Sequence, residues 1–198
     1  MKREENLKIQ ITTYQSFETG TLDGELQIKS LSELFFNINK DKKILDVGCG
    51  DGVALNWFKD NGYVFVQGIE GNPNKLERAK KSGFVTYEGD IHDLSKIIDD
   101  KFDIIYCSHV LEHMFNPDVV IEEFKKLLNF DGIIIIIVPY PDHGPDDAHC
   151  GKYHLKTNIK SKNDVDVTDV FELHGLFILS KEVRYNRGDE IVLKLKLL

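Results

Sequence analysis

The chain has 198 residues, with 25 Lys and Arg against 33 Asp and Glu, a formal net charge of −8 and a sequence pI near 5.4. That length suits one domain, and 41% hydrophobic with 29% charged residues excludes a disordered or collagenous chain. The acidic balance argues against nucleic acid or an anionic membrane as partner, because both reward basic surface.

The opening MKREENLKIQ has no apolar stretch or small-residue cleavage site, so no signal peptide is expected. Residues 1–40 are polar, with Tyr14 and Phe17 as scattered aromatics, and only Ser30–Asn39 reads as helix. An N-terminal cap or lid segment is expected there. From residue 42 onward, short β-branched runs alternate with helical patterns, the pattern of a doubly wound α/β fold. Strands are expected over Lys43–Val47, Tyr63–Glu70, Phe84–Glu88 and Phe102–Cys107, with a helix over about Val53–Lys59 stopped by Asn61-Gly62. Asn72-Pro73 and Asn116-Pro117 each combine an N-cap with proline at the first helical position. They open helices ending near Ser82-Gly83 and Leu128. Asp131-Gly132 reads as a turn into Ile133–Val138, the longest apolar run. It is far short of the roughly 18–20 residues of a membrane span but suits a central strand buried on both faces.

Residues 140–163 form a long polar stretch leaving the fifth strand, and loops of that length in compact domains tend to be functional. Two final strands, about Leu176–Arg184 and Glu190–Lys196, flank the turn signal Asn186–Gly188 and read as a hairpin. The expected architecture is a mostly parallel seven-stranded sheet, with an antiparallel C-terminal hairpin and the small N-terminal cap. Residues 164–198 show no chemistry and read as scaffold. Cys49, Cys107 and Cys150 contain no CxxC pair, which suits reduced thiols and a cytoplasmic location.

The densest signal is Ile44-Leu45-Asp46-Val47-Gly48-Cys49-Gly50-Asp51-Gly52, a strand running into a glycine-rich turn and then a helix. Such a turn presents backbone N–H groups to a ligand, but phosphates, dinucleotides and nucleosides all use one. Val53 stands where a dinucleotide fingerprint needs its third glycine, and no GxxxxGK[ST] is present. Asp46 beside the turn would repel a pyrophosphate and suits a cationic amino-acid moiety. Glu70 at the end of the second strand can hold both hydroxyls of a ribose. Asp90, just past the third strand, can accept from an adenine amine, though it equally suits a helix cap for Ile91–Leu94. The set describes adenosine joined to an amino acid.

ILDVGCGDG, GIEGNP, EGDIHDL, FDIIYCSHVLEHM and LLNFDGIIIIIVPYP resemble, in order and spacing, the motifs of class I (Rossmann-like) S-adenosylmethionine-dependent methyltransferases. The match is closest to the small-molecule type with a methyltransferase-11 core. The resemblance implies that residues 41–198 bind S-adenosylmethionine. It puts Gly48, Cys49 and Gly50 along the methionine part with Asp46 nearby, Glu70 on the ribose with Gly71 and Asn72 close by, Asp90 and Ile91 around the adenine, and Ser108 and His109 beneath the cofactor. His109-Val-Leu-Glu112-His113 also matches the H-x-x-E-H pattern of inverted zinc peptidases. That chemistry needs both histidines on one face of a long helix, and here the motif directly follows a strand.

Methyl transfer from a sulfonium is an in-line displacement in which orientation supplies most of the acceleration, and a positioned base adds typically 10²–10⁴-fold. The 140–163 loop offers Asp142, His143, Asp146, Asp147, His149 and His154. Histidine is the natural base near neutral pH, which makes His143 and His149 the candidate catalytic residues. No spacing in the loop selects a metal. The expected activity is methylation of an oxygen or nitrogen on a small-molecule acceptor, such as a sugar or other hydroxylated metabolite. A catalytically inactive binding protein of the same fold and a protein methyltransferase stay open as alternatives.

Overall fold

Ile133–Val138 is β-branched throughout, so it gains by burying both faces in a sheet. In the computed structural model, which describes residues 3–13, 21–139, 167–185 and 190–198, this run lies inside a seven-stranded sheet. Helices α1 (Arg3–Thr13) and α2 (Thr21–Leu34) precede β1 (Ile44–Val47), α3 (Val53–Asp60) and β2 (Val66–Glu70). Then follow α4 (Pro73–Ala79), β3 (Val85–Glu88), α5 (Leu94–Ile97), β4 (Phe102–Ser108) and α6 (Pro117–Leu127). β5 (Leu128–Pro139), α7 (Val167–Leu173), β6 (Leu176–Arg184) and β7 (Glu190–Leu197) complete the described elements.

The strand order is β3-β2-β1-β4-β5-β7-β6. The first five strands pair in parallel, while β7 runs antiparallel between β5 and β6. The order reverses at β1, whose neighbours are β2 and β4, and such a reversal opens a crevice at the carboxyl ends of the strands. All four residues of β1 are buried. Leu45 and Val47 point into a core shared with α5, α6 and Phe171 of α7, while Ile44 faces one shared with α2 and α3. On that second side Phe35, Trp57, Phe58, Tyr63 and Tyr106 pack mostly edge to face, the arrangement favoured by the aromatic quadrupole.

The capping signal holds at Asn72, whose Oδ1 accepts from the N–H groups of Asn74 and Lys75 ahead of Pro73, whereas Asn116 stands at the start of α6 ahead of Pro117 without a side-chain capping bond. Three local expectations change. The N-terminal segment carries two helices, and the second stops at Leu34 rather than Asn39, because the Tyr63 hydroxyl takes the Phe35 carbonyl just beyond it at 3.1 Å. Asp131-Gly132 does not form a turn ahead of β5 but lies within it. Between Phe102↔Leu128 and Ile104↔Ile133, β4 advances two residues while β5 advances five, so the turn signal is absorbed as a bulge within one strand. β2 begins at Val66 rather than Tyr63, whose ring is committed to the aromatic cluster. The 140–163 loop, with His143 and His149, and the hairpin turn at Asn186–Gly188 lie outside the described residues.

Gly52, the residue before α3, has φ +84°, and a Cβ there would lie 2.8 Å from the backbone Cα of Ala79. Gly52→Ala is therefore expected to destabilise the fold by roughly 2–4 kcal/mol, combining left-handed strain with overpacking of α3 on α4. Urea unfolding followed by circular dichroism measures the difference.

Candidate functional site

The glycine turn is held from both sides. The N–H groups of Gly48 and Cys49 both donate to the Ile69 carbonyl of β2, at 2.9 and 3.0 Å. Gly48 has φ +69°, and a Cβ on it would lie 2.3 Å from Val110 Cγ2, so only glycine lets the turn press against the segment after β4. Glu70 ends β2 with each carboxylate oxygen accepting one backbone N–H: Oε2 from Gly50 at 2.9 Å and Oε1 from Asn72 at 2.8 Å. A carboxylate oxygen has two acceptor positions. Glu70 is thus fixed in orientation and retains capacity for a pair of hydroxyls.

These residues line a cavity of about 330 Å³. It brings together Gly48, Gly50, Glu70, Gly71, Asn72, Asp90, Ile91 and His109 from the sequence-derived set, along with Asn6, Leu7, Gln10 and Ile11 of α1 and Glu112 and His113 beyond β4. Asp46, Cys49 and Ser108 are not among its lining residues. Asp46 lies beneath the turn, 3% exposed, with Oδ2 lacking a hydrogen-bond partner. Burial, then the charge of Glu70, pushes its carboxyl up to about 8. Cys49 is buried in the core around α2 and α3. Burial and then the charges of Asp46 and Glu70 push its thiol up, so it is no nucleophile. Ser108 ends β4 half-buried.

Asp90 combines cap and site. Its Oδ1 accepts from the His92 N–H at 2.9 Å and lies 2.6 Å from His92 Nδ1, while Oδ2 accepts from Arg3 Nε at 2.7 Å. Burial pushes Asp90 up, but the bonds from His92 and Arg3 outweigh it and hold the carboxyl well below the usual range. His92 Nε2 accepts from the Asn116 N–H at 3.2 Å, which places the ring hydrogen on Nδ1. Arg3 also bonds Asp93. The first helix is therefore tied to the cavity floor by polar contacts that no apolar periodicity announces.

The H-x-x-E-H residues do not share a helix face. Among the described residues His109 is the one non-glycine residue in the left-handed region, φ 54°, and Leu111–His113 form a single 3₁₀ turn. Among the described residues no group of three or more His, Cys, Asp or Glu is arranged to hold a metal ion. Instead both histidines face Glu112: His109 Nδ1 is 3.6 Å and His113 Nε2 3.8 Å from its Oε1. A second acid completes the cluster, since His109 Nε2 lies 3.0 Å from Oε2 of Glu190 on β7. Glu190 is the residue that sequence reasoning missed: the scaffold-like stretch 164–198 contains it, and only the fold brings it to the site.

The cavity suits an adenosine carrying a cationic amino-acid group. Three acids, Glu70, Asp90 and Glu112, line it against one Lys or Arg, Lys75, which disfavours a pyrophosphate. The unpartnered Asp46 oxygen beneath the turn belongs to a carboxyl that burial keeps protonated at neutral pH and that a nearby cation would draw into the ionised form.

The family profile of a methyltransferase domain matches residues 20–177. The ubiquinone biosynthesis O-methyltransferase of Neisseria meningitidis serogroup A / serotype 4A (strain DSM 15465 / Z2491) is 30% identical over 100 residues, 47% of this chain and 42% of the relative. The chain thus spans less than half the length of that relative. The crystal structure of magnesium protoporphyrin IX methyltransferase from Synechocystis PCC 6803 with bound SAM superposes with TM-score 0.70 at 14% identity, covering 98% of this chain and 97% of the other. That of the N-methyltransferase NodS from Bradyrhizobium japonicum WM9 with S-adenosyl-L-homocysteine gives TM-score 0.67 at 14% identity, covering 98% and 97%. At those identities the likeness is one of fold.

The raised carboxyl of Asp46 makes a stability prediction. Its folded value of about 8 exceeds the ordinary aspartate value of 3.8, so the unfolded chain loses this proton first and stability drains away as pH climbs from about 4 through about 8. Asp46→Asn removes that dependence. The variant is expected to melt higher than wild type at pH 8.5, with the gain shrinking as pH falls and vanishing by about pH 4, in thermal unfolding scans.

Proposed function

The chain belongs to the methyltransferase domain family, and we propose that it moves a methyl group from S-adenosylmethionine to an oxygen or nitrogen of a small-molecule acceptor. The observation that carries this reading is the Glu70 carboxylate, locked by the Gly50 and Asn72 N–H groups at the carboxyl edge of β2 and facing the cavity beside the glycine turn. In this reading Gly48 and Gly50 border the methionine part and Glu70 takes the ribose hydroxyls. Asn72, Gly71, Asp90 and Ile91 enclose the nucleoside. Asp46 gives up its proton when an ammonium settles nearby, and Cys49 and Ser108 support the turn and strand end that shape the floor.

When bound, S-adenosylmethionine supplies a methyl carbon made electrophilic by its sulfonium; the acceptor lone pair forms the new bond as the carbon–sulfur pair leaves with sulfur. The protein's own part is orientation and exclusion of water, to which the helix α1 residues Asn6, Leu7, Gln10 and Ile11 contribute by covering the cavity. The O-methyltransferase and N-methyltransferase names of similar proteins leave both nucleophile types in the proposal. No described helix is long and apolar enough to cross a membrane.

Isothermal titration with S-adenosylhomocysteine tests the cofactor assignment. Wild type is expected to bind, and Glu70→Ala to bind about ten- to a hundredfold more weakly, the worth of hydrogen bonds to a charged acceptor. Absence of wild-type binding at millimolar ligand would sink the reading. Methyl-labelled S-adenosylmethionine and a fractionated metabolite extract, followed by mass spectrometry, then identify the acceptor. Cofactor binding without any labelled product would point to the inactive binding protein instead.

A further inference from the structure

We propose that Arg3 is a positioning residue for the cofactor: its ion pairs with Asp90 and Asp93 latch helix α1 over the nucleoside end of the cavity and set how long the ligand stays. The inference rests on the methyl-transfer reading and deepens it, by assigning control of cofactor release to a residue of the N-terminal segment.

The path of α1 is fixed by what its residues touch. The Ile11 carbonyl accepts from Asn72 Nδ2 at 3.5 Å, a Cβ placed on Gly71 would lie 3.7 Å from Leu7 Cδ1, and Arg3 meets Asp90. Asn72, Gly71 and Asp90 are the residues placed above around the nucleoside, so the helix runs along that part of the cavity. Asn6 Nδ2 reaches to the other side, 3.4 Å from the His113 carbonyl. Apolar packing does little to keep the helix there. No α1 residue belongs to either of the two buried cores, and Leu7, Ile9 and Ile11 are each half-buried. An 11-residue helix has little stability of its own, and the two amide contacts lie at the long end of the hydrogen-bond range. The charge-assisted bonds of Arg3 are the strong ties.

Arg3 and a purine amine can share Asp90, because its acceptor positions suffice. A carboxylate oxygen has two of them. Asp90 Oδ1 spends both on His92, on the N–H at 2.9 Å and ring Nδ1 at 2.6 Å, whereas Oδ2 takes Arg3 Nε at 2.7 Å and keeps one position open. Asp93 holds the same arginine from outside. It is not among the cavity-lining residues; its Oδ1 takes Lys96 Nζ at 2.6 Å and its Oδ2 takes Arg3. The planar guanidinium thus spans two carboxylates, and Asp93 reaches the ligand only through Arg3. All three side chains keep some exposure to water, so salt screens the latch. Since bound ligand is enclosed only while α1 is closed, the apparent affinity scales with the closed fraction.

Hydrogen exchange read by mass spectrometry tests the latch on the free protein. Arg3→Gln and Asp93→Asn are each expected to speed exchange over Arg3–Thr13, while β1, β4 and β5 exchange as in wild type. Unchanged exchange of α1 in both variants overturns the latch. Calorimetry with S-adenosylhomocysteine, and release of the tritiated ligand in a chase, test the consequence. Arg3→Gln is expected to bind about five- to thirtyfold more weakly, chiefly through faster release, with Arg3→Lys restoring part of the affinity. Asp93→Asn should weaken binding too, yet add little on top of Arg3→Gln, which two independent losses would not do. Raising salt from about 0.05 M to about 0.5 M should weaken wild-type binding severalfold and leave Arg3→Gln nearly unmoved. Unchanged affinity in Arg3→Gln overturns the role, and so does tighter binding, which would make Arg3 an obstacle to the base. Failure of wild type to bind S-adenosylhomocysteine overturns the methyl-transfer reading and the cofactor role with it, a result distinct from binding with an unmoved α1.

Discussion

The structure hangs on the parallel pairing of one short strand with neighbours on both sides. β1 pairs with β2 through Ile44↔Val66 to Val47↔Ile69 and with β4 through Ile44↔Ile104 to Val47↔Cys107. Because its two partners lead away in opposite directions, the chain must leave β1 over an open crevice rather than over a covering helix. The glycine turn, the Glu70 carboxylate, the Asp90 cap and the His109 segment all stand at the rim of that crevice. None of them is adjacent to another in the chain, and each is delivered by the end of a different strand.

Burial decides how the acids at this rim behave. Asp46, Glu70, Asp90 and Glu112 carry the same charge type, yet their settings push them apart. Asp46 has no donor for Oδ2 and is driven toward neutrality. Asp90 is held ionised by Arg3 and His92, and Glu112 by two histidines. Glu70 meets two backbone donors. One acid is thus poised to release a proton when a cation arrives, while others are already committed to neighbours. A net charge of −8 says nothing of this division, which arises from burial set against the donors and charged neighbours each carboxyl faces.

The strands, the Asn-Pro helix starts and the glycine turn were legible because their signals are local: β-branched runs, fixed proline φ and glycine freedom act within a few residues. Glu70, Asp90 and the glycines could be singled out because strand ends can be read from the same text. Other features depend on distant partners. Helix α1 lacks a strong apolar stripe and is held by Arg3 and Asn6, whose partners lie about ninety and a hundred residues away. The Asp131-Gly132 pair carries the chemistry of a turn, yet the pull of pairing with β4 keeps it within a strand. Glu190 sits in an alternating apolar–polar strand that gives no hint of a site, and it becomes visible only when β7 is placed against β5.

That placement has a consequence for the order of assembly. β7 is the latest described strand to leave the ribosome, but it does not sit at the border of the sheet; it is inserted between β5 and the earlier-made β6. Until residues 190–197 are available, the far side of β5 has no strand to pair with, and its isoleucine-rich edge is open to association with other chains. Neither can His109 meet its carboxylate partner before that insertion. Nascent chains of this protein would therefore pass through a stage with the crevice already outlined but one side of the sheet unzipped, and the histidine would be oriented last of all.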